Sequence, residues 1–137
     1  MRVFEKIERA IADKWGSDPA VNVCRGILHY AVSKPGEESV MLTFGDFKKI
    51  AGADYDQDEL QRAIAILVSR FHALEMRLVF IDENDGPIYL EPDEQRDFIE
   101  TGKLTHPHDG VIVEGGEERT FPYYVANPGE LLEEVAG

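Results

Sequence analysis

The chain has 137 residues, of which 43% are hydrophobic and 30% charged, with one cysteine and a formal net charge of −13; that length suits one domain with its own core, and the composition excludes global disorder. A single cysteine excludes an intrachain disulfide and a cysteine-based metal cluster, which fits a reducing cytosol. No run reaches the roughly 18 apolar residues of a membrane span, and the opening residues mix charges at helical spacing, unlike a targeting peptide, so a cytoplasmic location is expected.

A helix is predicted from Arg2 to Trp15, because Val3, Ile7, Ala10, Ile11 and Trp15 recur at three- and four-residue steps. Gly16 is the expected C-cap, and Pro19 stops continuation. A second helix follows from Ala20 to Ser33 on the stripe Val21, Cys24, Ile27, Leu28, Ala31 and Val32. Cys24 on that stripe reads as a small core residue. Lys34-Pro35-Gly36-Glu37-Glu38 is a turn by composition. Ser39–Thr43 is a brief strand, after which Thr43 caps a short helix, Phe44–Ala51, with Asp46 as its acidic first-turn partner. That helix presents Phe44, Phe47, Ile50 and Ala51 to one side. Asp56, with Glu59 at the capping-box position, opens a central helix reaching Leu74 or Glu75 on Leu60, Ile64, Leu67, Phe71 and Leu74.

The period then changes. Arg77–Ile81 and Pro87–Glu91 form a hairpin around the Asp-Gly turn 82–86. Pro92-Asp93-Glu94 starts a helix to Thr101 with Phe98 and Ile99 inward and Gly102 closing it. Val111–Val113 and Thr120–Val125, joined by Glu114-Gly115-Gly116-Glu117, admit a second hairpin, with Pro122 placing the returning strand at an edge. The tail, Glu130–Ala136, either docks through Leu131, Leu132 and Val135 or frays.

The order of helix, short strand, short helix, turn, long helix and hairpin over residues 20–91 resembles the winged helix-turn-helix superfamily. Leu42–Gly52 leading into Asp56–Ser69 looks like that family's scaffold helix, turn and second helix, and residues 77–91 like its wing. The expected fold class is therefore α+β: a winged-helix-like core of three or four helices plus a β-hairpin, followed by an acidic C-terminal extension with a short helix and the second hairpin. Within a single domain, 1–137, residues 1–19 form an N-terminal helix, 20–91 the core and 92–137 the extension. The resemblance covers DNA-binding regulators and modules that bind only protein, so function rests on the site.

Charge bears on that choice. Residues 1–81 carry eleven Lys/Arg against twelve Asp/Glu, whereas residues 82–137 carry three against fifteen. The acidic third reads either as a solvated face or as a dedicated binding surface. A DNA reader displays cations toward phosphate. Here the residues available for nucleic acid are Lys48, Lys49, Gln57, Gln61, Arg62 and Arg70, while Asp58 and Glu59 occupy the first turn and Asp82, Glu83 and Asp85 the wing tip. Sequence-specific DNA binding by this chain alone is disfavoured.

The leading expectation is a non-catalytic adaptor or assembly subunit that binds a protein with a basic surface. It would do so through Asp82, Glu83 and Asp85 and the aromatics Phe121, Tyr123 and Tyr124, which suit an interface core with a charged rim; alternate aromatics packing inward is the competing reading. An edge strand there also permits a homodimer. The other readings are a dimeric transcription regulator and an acidic chaperone or DNA mimic. No catalytic, cofactor or metal residue is assigned, since no nucleophile, phosphate loop or dinucleotide motif is present. His106-Pro107-His108-Asp109 reads as a turn-forming loop in preference to a metal site, because no further ligand stands at a recognisable spacing. His29 and His72 read as packed or surface side chains on helices.

Overall fold

The computed structural model describes residues 1–34 and 36–136, so Pro35 of the expected turn lies outside the described residues. The architecture is α+β. In chain order the elements are α1 Val3–Trp15, α2 Ala20–Val32, β1 Val40–Leu42, α3 Phe44–Ala51 and α4 Gln57–Ala65. After α4 come a π-helical turn Ile66–Arg70, β2 Glu75–Asp82, β3 Gly86–Tyr89, α5 Pro92–Thr101, a 3₁₀ turn Gly116–Arg119, β4 Thr120–Ala126 and α6 Pro128–Leu131. The strands form one sheet in the order β1-β4-β2-β3. The chain divides into two compact units, residues 1–75 with the chain from 124 onward, and residues 76–123.

The first unit is organised by its helices. Ile7 and Ile11 of α1, Cys24, Ile27 and Leu28 of α2, Phe47 of α3 and Leu60 and Leu67 of the α4 region share one buried apolar cluster. The caps are those the sequence specifies. Asp46 N–H donates to Thr43 Oγ1 (3.3 Å) while Thr43 N–H donates to Asp46 Oδ2 (2.8 Å), and Glu59 N–H donates to Asp56 Oδ1 (3.1 Å). These bonds satisfy N–H groups that lack a helical partner. α1 ends at Gly16, though in a right-handed conformation. Asp18 makes the turn, its Oδ1 accepting from Ala20 N–H (2.9 Å). On α3 only Phe47 is buried, and Phe44 stays at the surface beneath the Lys48 ammonium.

The central helix is shorter than expected. Its α-helical part stops at Ala65, and the wider π turn brings Ile66 and Leu67 inward together. His72 then takes a left-handed conformation (φ 51°), so Ala73 N–H and Leu74 N–H both donate to the Leu67 carbonyl (2.8 and 3.3 Å). His72 therefore sits at a helix-ending turn, not on a helix. At the far end of the chain, α6 docks through buried Pro128 and Leu131, and the tail pairs with the N-terminus through Val3 N–H to Glu133 O and Val135 N–H to Met1 O.

The second unit is built on the β2–β3 hairpin, in the register Val79↔Tyr89, Phe80↔Ile88, Ile81↔Pro87 and Asp82↔Gly86. Gly86 (φ 74°) supplies the left-handed position that closes the three-residue turn. Strand alternation sends Leu78 and Phe80 inward, where Leu90 and Leu104 complete a small buried cluster flanked by Ile88, Phe98 and Val113. α5 covers it with Phe98 alone; Ile99, expected inward, is 58% exposed. The β2 backbone before the hairpin ladder is fastened by an amide: Leu78 N–H donates to Gln95 Oε1 (3.2 Å) and Gln95 Nε2 to Met76 O (3.1 Å).

The second hairpin is replaced by a different pairing. Residues 111–113 form no strand and contribute only the bridge Thr105↔Ile112. Gly116 opens a 3₁₀ turn, packed so closely that a Cβ there would stand 2.9 Å from Leu104 Cβ. β4 pairs instead with β1, antiparallel, as Val40↔Ala126, Met41↔Val125 and Leu42↔Tyr124. It is an interior strand, not an edge. Pro122 lies beyond Tyr124, the last β4 residue paired with β1, so its missing N–H costs no bond to that strand.

Candidate functional site

The outward face of the hairpin is apolar. Val79 and Ile81 of β2 lie opposite Tyr89 and Pro87 of β3, on the side away from Leu78 and Phe80. Tyr123 packs edge-to-face on Tyr89 with centroids 5.4 Å apart, and alternation puts Phe121 on the side of Tyr123. Ile81, Tyr89 and Phe121 remain 39%, 52% and 49% exposed, an aromatic and aliphatic cluster of the kind found at interface centres. Residues 76–123 carry twelve Asp/Glu against four Lys/Arg, a balance of −8, so the unit that bears this face is acidic.

The aromatic trio divides. Phe121 is exposed as expected. Tyr123 is buried, and Tyr124 packs edge-to-face on Phe47 (5.3 Å) in the core of the first unit. Burial raises the Tyr124 phenol above its usual pKa. Consecutive strand residues point to opposite faces, so Tyr123 and Tyr124 could not share one exposed face. The wing acids divide too. Asp82 is consumed locally: Oδ2 accepts from Asn84 N–H (3.0 Å) and Asp85 N–H (2.9 Å), and Oδ1 lies 3.1 Å from His106 Nε2. The Asp85 and Asn84 amides, with a smaller contribution from His106, hold its carboxyl below the ordinary range. Glu83 reaches into solvent and pairs with Arg119 (3.2 Å), and Asp85 lies 3.5 Å from His108 Nδ1.

His106 links two segments that the sequence leaves far apart. Its ring meets Phe80 edge-on (5.8 Å), and its Nδ1 accepts from His108 N–H (3.1 Å). That acceptor role puts the proton of the neutral ring on Nε2, facing Asp82. With both nitrogens engaged, the imidazole offers no open lone pair to a substrate. Arg119 lies over the same Phe80 ring at 5.4 Å.

The residues named for nucleic acid lie on the first unit and are exposed. Arg62 is held in a two-point pair by Asp18 (Nε–Oδ2 3.2 Å, Nη2–Oδ1 2.9 Å), and Arg70 stacks over Trp15 (5.8 Å). Lys48 and Lys49 flank a shallow depression of 540 Å³ with Gly45, Ala53 and Tyr55. Gln57 and Gln61 extend along the exposed side of α4. Asp18, Gln95 and Tyr89 are working residues that sequence reading passes over. Tyr89 alone had a signal, as the aromatic at an outward position of the predicted hairpin.

Cys24 is fully buried, its Sγ 3.6 Å from Ala63 O, and burial pushes the thiol pKa up to about 12. His29 is half-exposed, with Nε2 2.6 Å from Glu8 Oε1 and its ring against Phe4. No helix among the described residues is long and apolar enough to cross a membrane. In comparison with known proteins, no family model, no curated protein sequence and no solved structure matches this chain.

Proposed function

We propose that this chain is a non-catalytic protein-interaction module of winged-helix type, an adaptor or assembly subunit that binds a partner through the outward face of its hairpin. The observation that carries the reading is the exposed cluster Ile81, Tyr89 and Phe121 set in a segment of charge balance −8. Such a face is matched by a partner with an apolar patch ringed by Lys and Arg, since a complementary rim speeds encounter and rejects acidic surfaces. The order α2, β1, α3, α4 and hairpin supports the winged-helix type. Its departure from that pattern is β4, which stands beside β1.

The cation inventory speaks against DNA as the ligand. Asp18 neutralises Arg62, leaving Lys48, Lys49 and Arg70 as the cations of the set named for nucleic acid on the first unit, too few for the usual counterion release. Self-pairing through β4 loses its basis, because that strand has neighbours on both sides.

The test is affinity capture on the intact chain, comparing wild type with Tyr89→Ser and Phe121→Ser. Wild type should retain a basic protein in stoichiometric amount, and the substitutions should weaken retention at least tenfold. Added salt should slow association. Retention unchanged by both substitutions, or a tight complex of the purified chain with duplex DNA at physiological salt, would sink the reading.

A further inference from the structure

We propose that Asp82, Asp85 and His106 form a binding site for a first-row divalent metal ion of the zinc class. The three come from the end of β2, the hairpin turn and the loop after Lys103, and each turns one donor atom to a common point, all within 4.8 Å of one another. Four-coordinate zinc, with bonds of about 2.0–2.2 Å, spaces its donors about 3.3–3.5 Å apart. The His106 Nε2–Asp82 Oδ1 pair, at 3.1 Å, is already close to that separation.

Asp82 is prepared for the role. Its Oδ2 is tied to two turn amides, which leaves Oδ1 aimed at His106 as a one-oxygen ligand. The Asp82 and His106 side chains are each 13% exposed, whereas Asp85 is 55% exposed, so the site is walled on one side and open at Asp85 for entry. One imidazole and two carboxylates suit zinc and its neighbours. Calcium and magnesium ask for six or more ligands, nearly all oxygen. A fourth position is left for water.

Proton placement adds a second element. In the ion-free site the ring proton is on Nε2, because Nδ1 accepts from His108 N–H. For an ion to bind at Nε2 the ring must change tautomer: Nε2 gives up its proton to solvent, Nδ1 takes one up, and the freed Nε2 lone pair meets the ion. Asp109 Oδ1, 3.7 Å from Nδ1 in the ion-free site, is placed to accept a hydrogen bond from Nδ1–H once the His108 contact loosens and the pair closes. The ring neither gains nor loses charge, and Asp109 becomes the outer carboxylate that orients a metal-bound histidine. This site is independent of the sheet face, and metal uptake and partner binding are read separately.

The experiment titrates zinc into the chelator-treated full chain by calorimetry, with cobalt(II) absorption reporting coordination. One equivalent should bind. Asp85→Asn and His106→Gln should each weaken binding at least tenfold, and Asp109→Asn by about 10-fold. On zinc addition the nitrogen spectrum of His106 should show its proton moving from Nε2 to Nδ1. Because His106 packs on Phe80, its variant also perturbs folding, whereas Asp85→Asn on the exposed turn does not. No zinc uptake by the folded chain would overturn the proposal. So would uptake unaffected by Asp85→Asn, an unmoved His106 spectrum, or equal uptake of calcium.

Discussion

The two units hold themselves together by different means. Among the described residues, the helical unit buries twenty side chains in one cluster, including Phe47, Leu60 and Leu67. The buried cluster of residues 76–123 has only Leu78, Phe80, Leu90 and Leu104. The smaller unit compensates with directed polar fastenings. Gln95 bridges to β2, Asp82 closes its turn and meets His106, and Thr120 Oγ1 donates to Gly116 O (2.7 Å). A broad apolar cluster tolerates loss of any one polar contact, whereas a core of four side chains depends on a few. The smaller unit also carries the larger share of the acidic imbalance and the exposed aromatic face.

Core truncation tests this contrast most severely. Phe47→Ala should cost about 3–5 kcal/mol in denaturant unfolding, through lost transfer energy and a residual cavity. Phe80→Ala removes the same ring from a cluster of four, so its damage should concentrate nearby. Hydrogen exchange should quicken across 76–123 while amides of α2 and α4 keep their protection. Equal loss of protection in both units would mean that they open together.

Cys24 sharpens the same comparison from inside the helical unit. Its thiol, buried and raised to about 12, reacts as thiolate only after the unit opens. Labelling by a thiol reagent should therefore be faster in Phe47→Ala than in wild type and unchanged in Phe80→Ala. Fast labelling of the wild-type chain would show that this core is looser than its packing implies.

A smaller effect is expected where the central helix ends. His72 holds a left-handed φ of 51° that glycine adopts without penalty, so His72→Gly should raise stability by about 0.5–1 kcal/mol. Loss of stability would show that the imidazole itself holds the turn.

The smallest effect belongs to Asp18, where surface screening limits the gain. The Arg62 guanidinium first, and then the Ala20 amide, hold its carboxyl below the ordinary value of 3.8. A depressed acid contributes stability that is present above its unfolded value and is lost as pH falls through the folded one. The melting difference between wild type and Asp18→Asn should therefore be constant near neutrality and disappear in acid below 3.8. A difference that persisted there would assign the effect to the turn and not to the ion pair.

Local chemistry made the helices legible. Apolar steps of three and four residues marked α1 to α4 and, within a few residues, the ends of the first three; the end of α4 falls at Ala65, well short of the expected Leu74 or Glu75. Thr43 and Asp56 marked two helix starts, and the Asp85-Gly86 step marked the hairpin turn. Each of these signals acts over about four residues, the reach of a helical turn or a tight loop, so the order of side chains suffices. Tertiary structure decided that β4 lies beside β1, that Tyr124 enters the core while Phe121 stays out, and that Asp18 neutralises Arg62 across 44 positions. It also brought His106 to Asp82 across 24 positions. Those pairings depend on which chain segments close against one another, and the closure is set by burial of the whole apolar surface, which no short window of sequence contains.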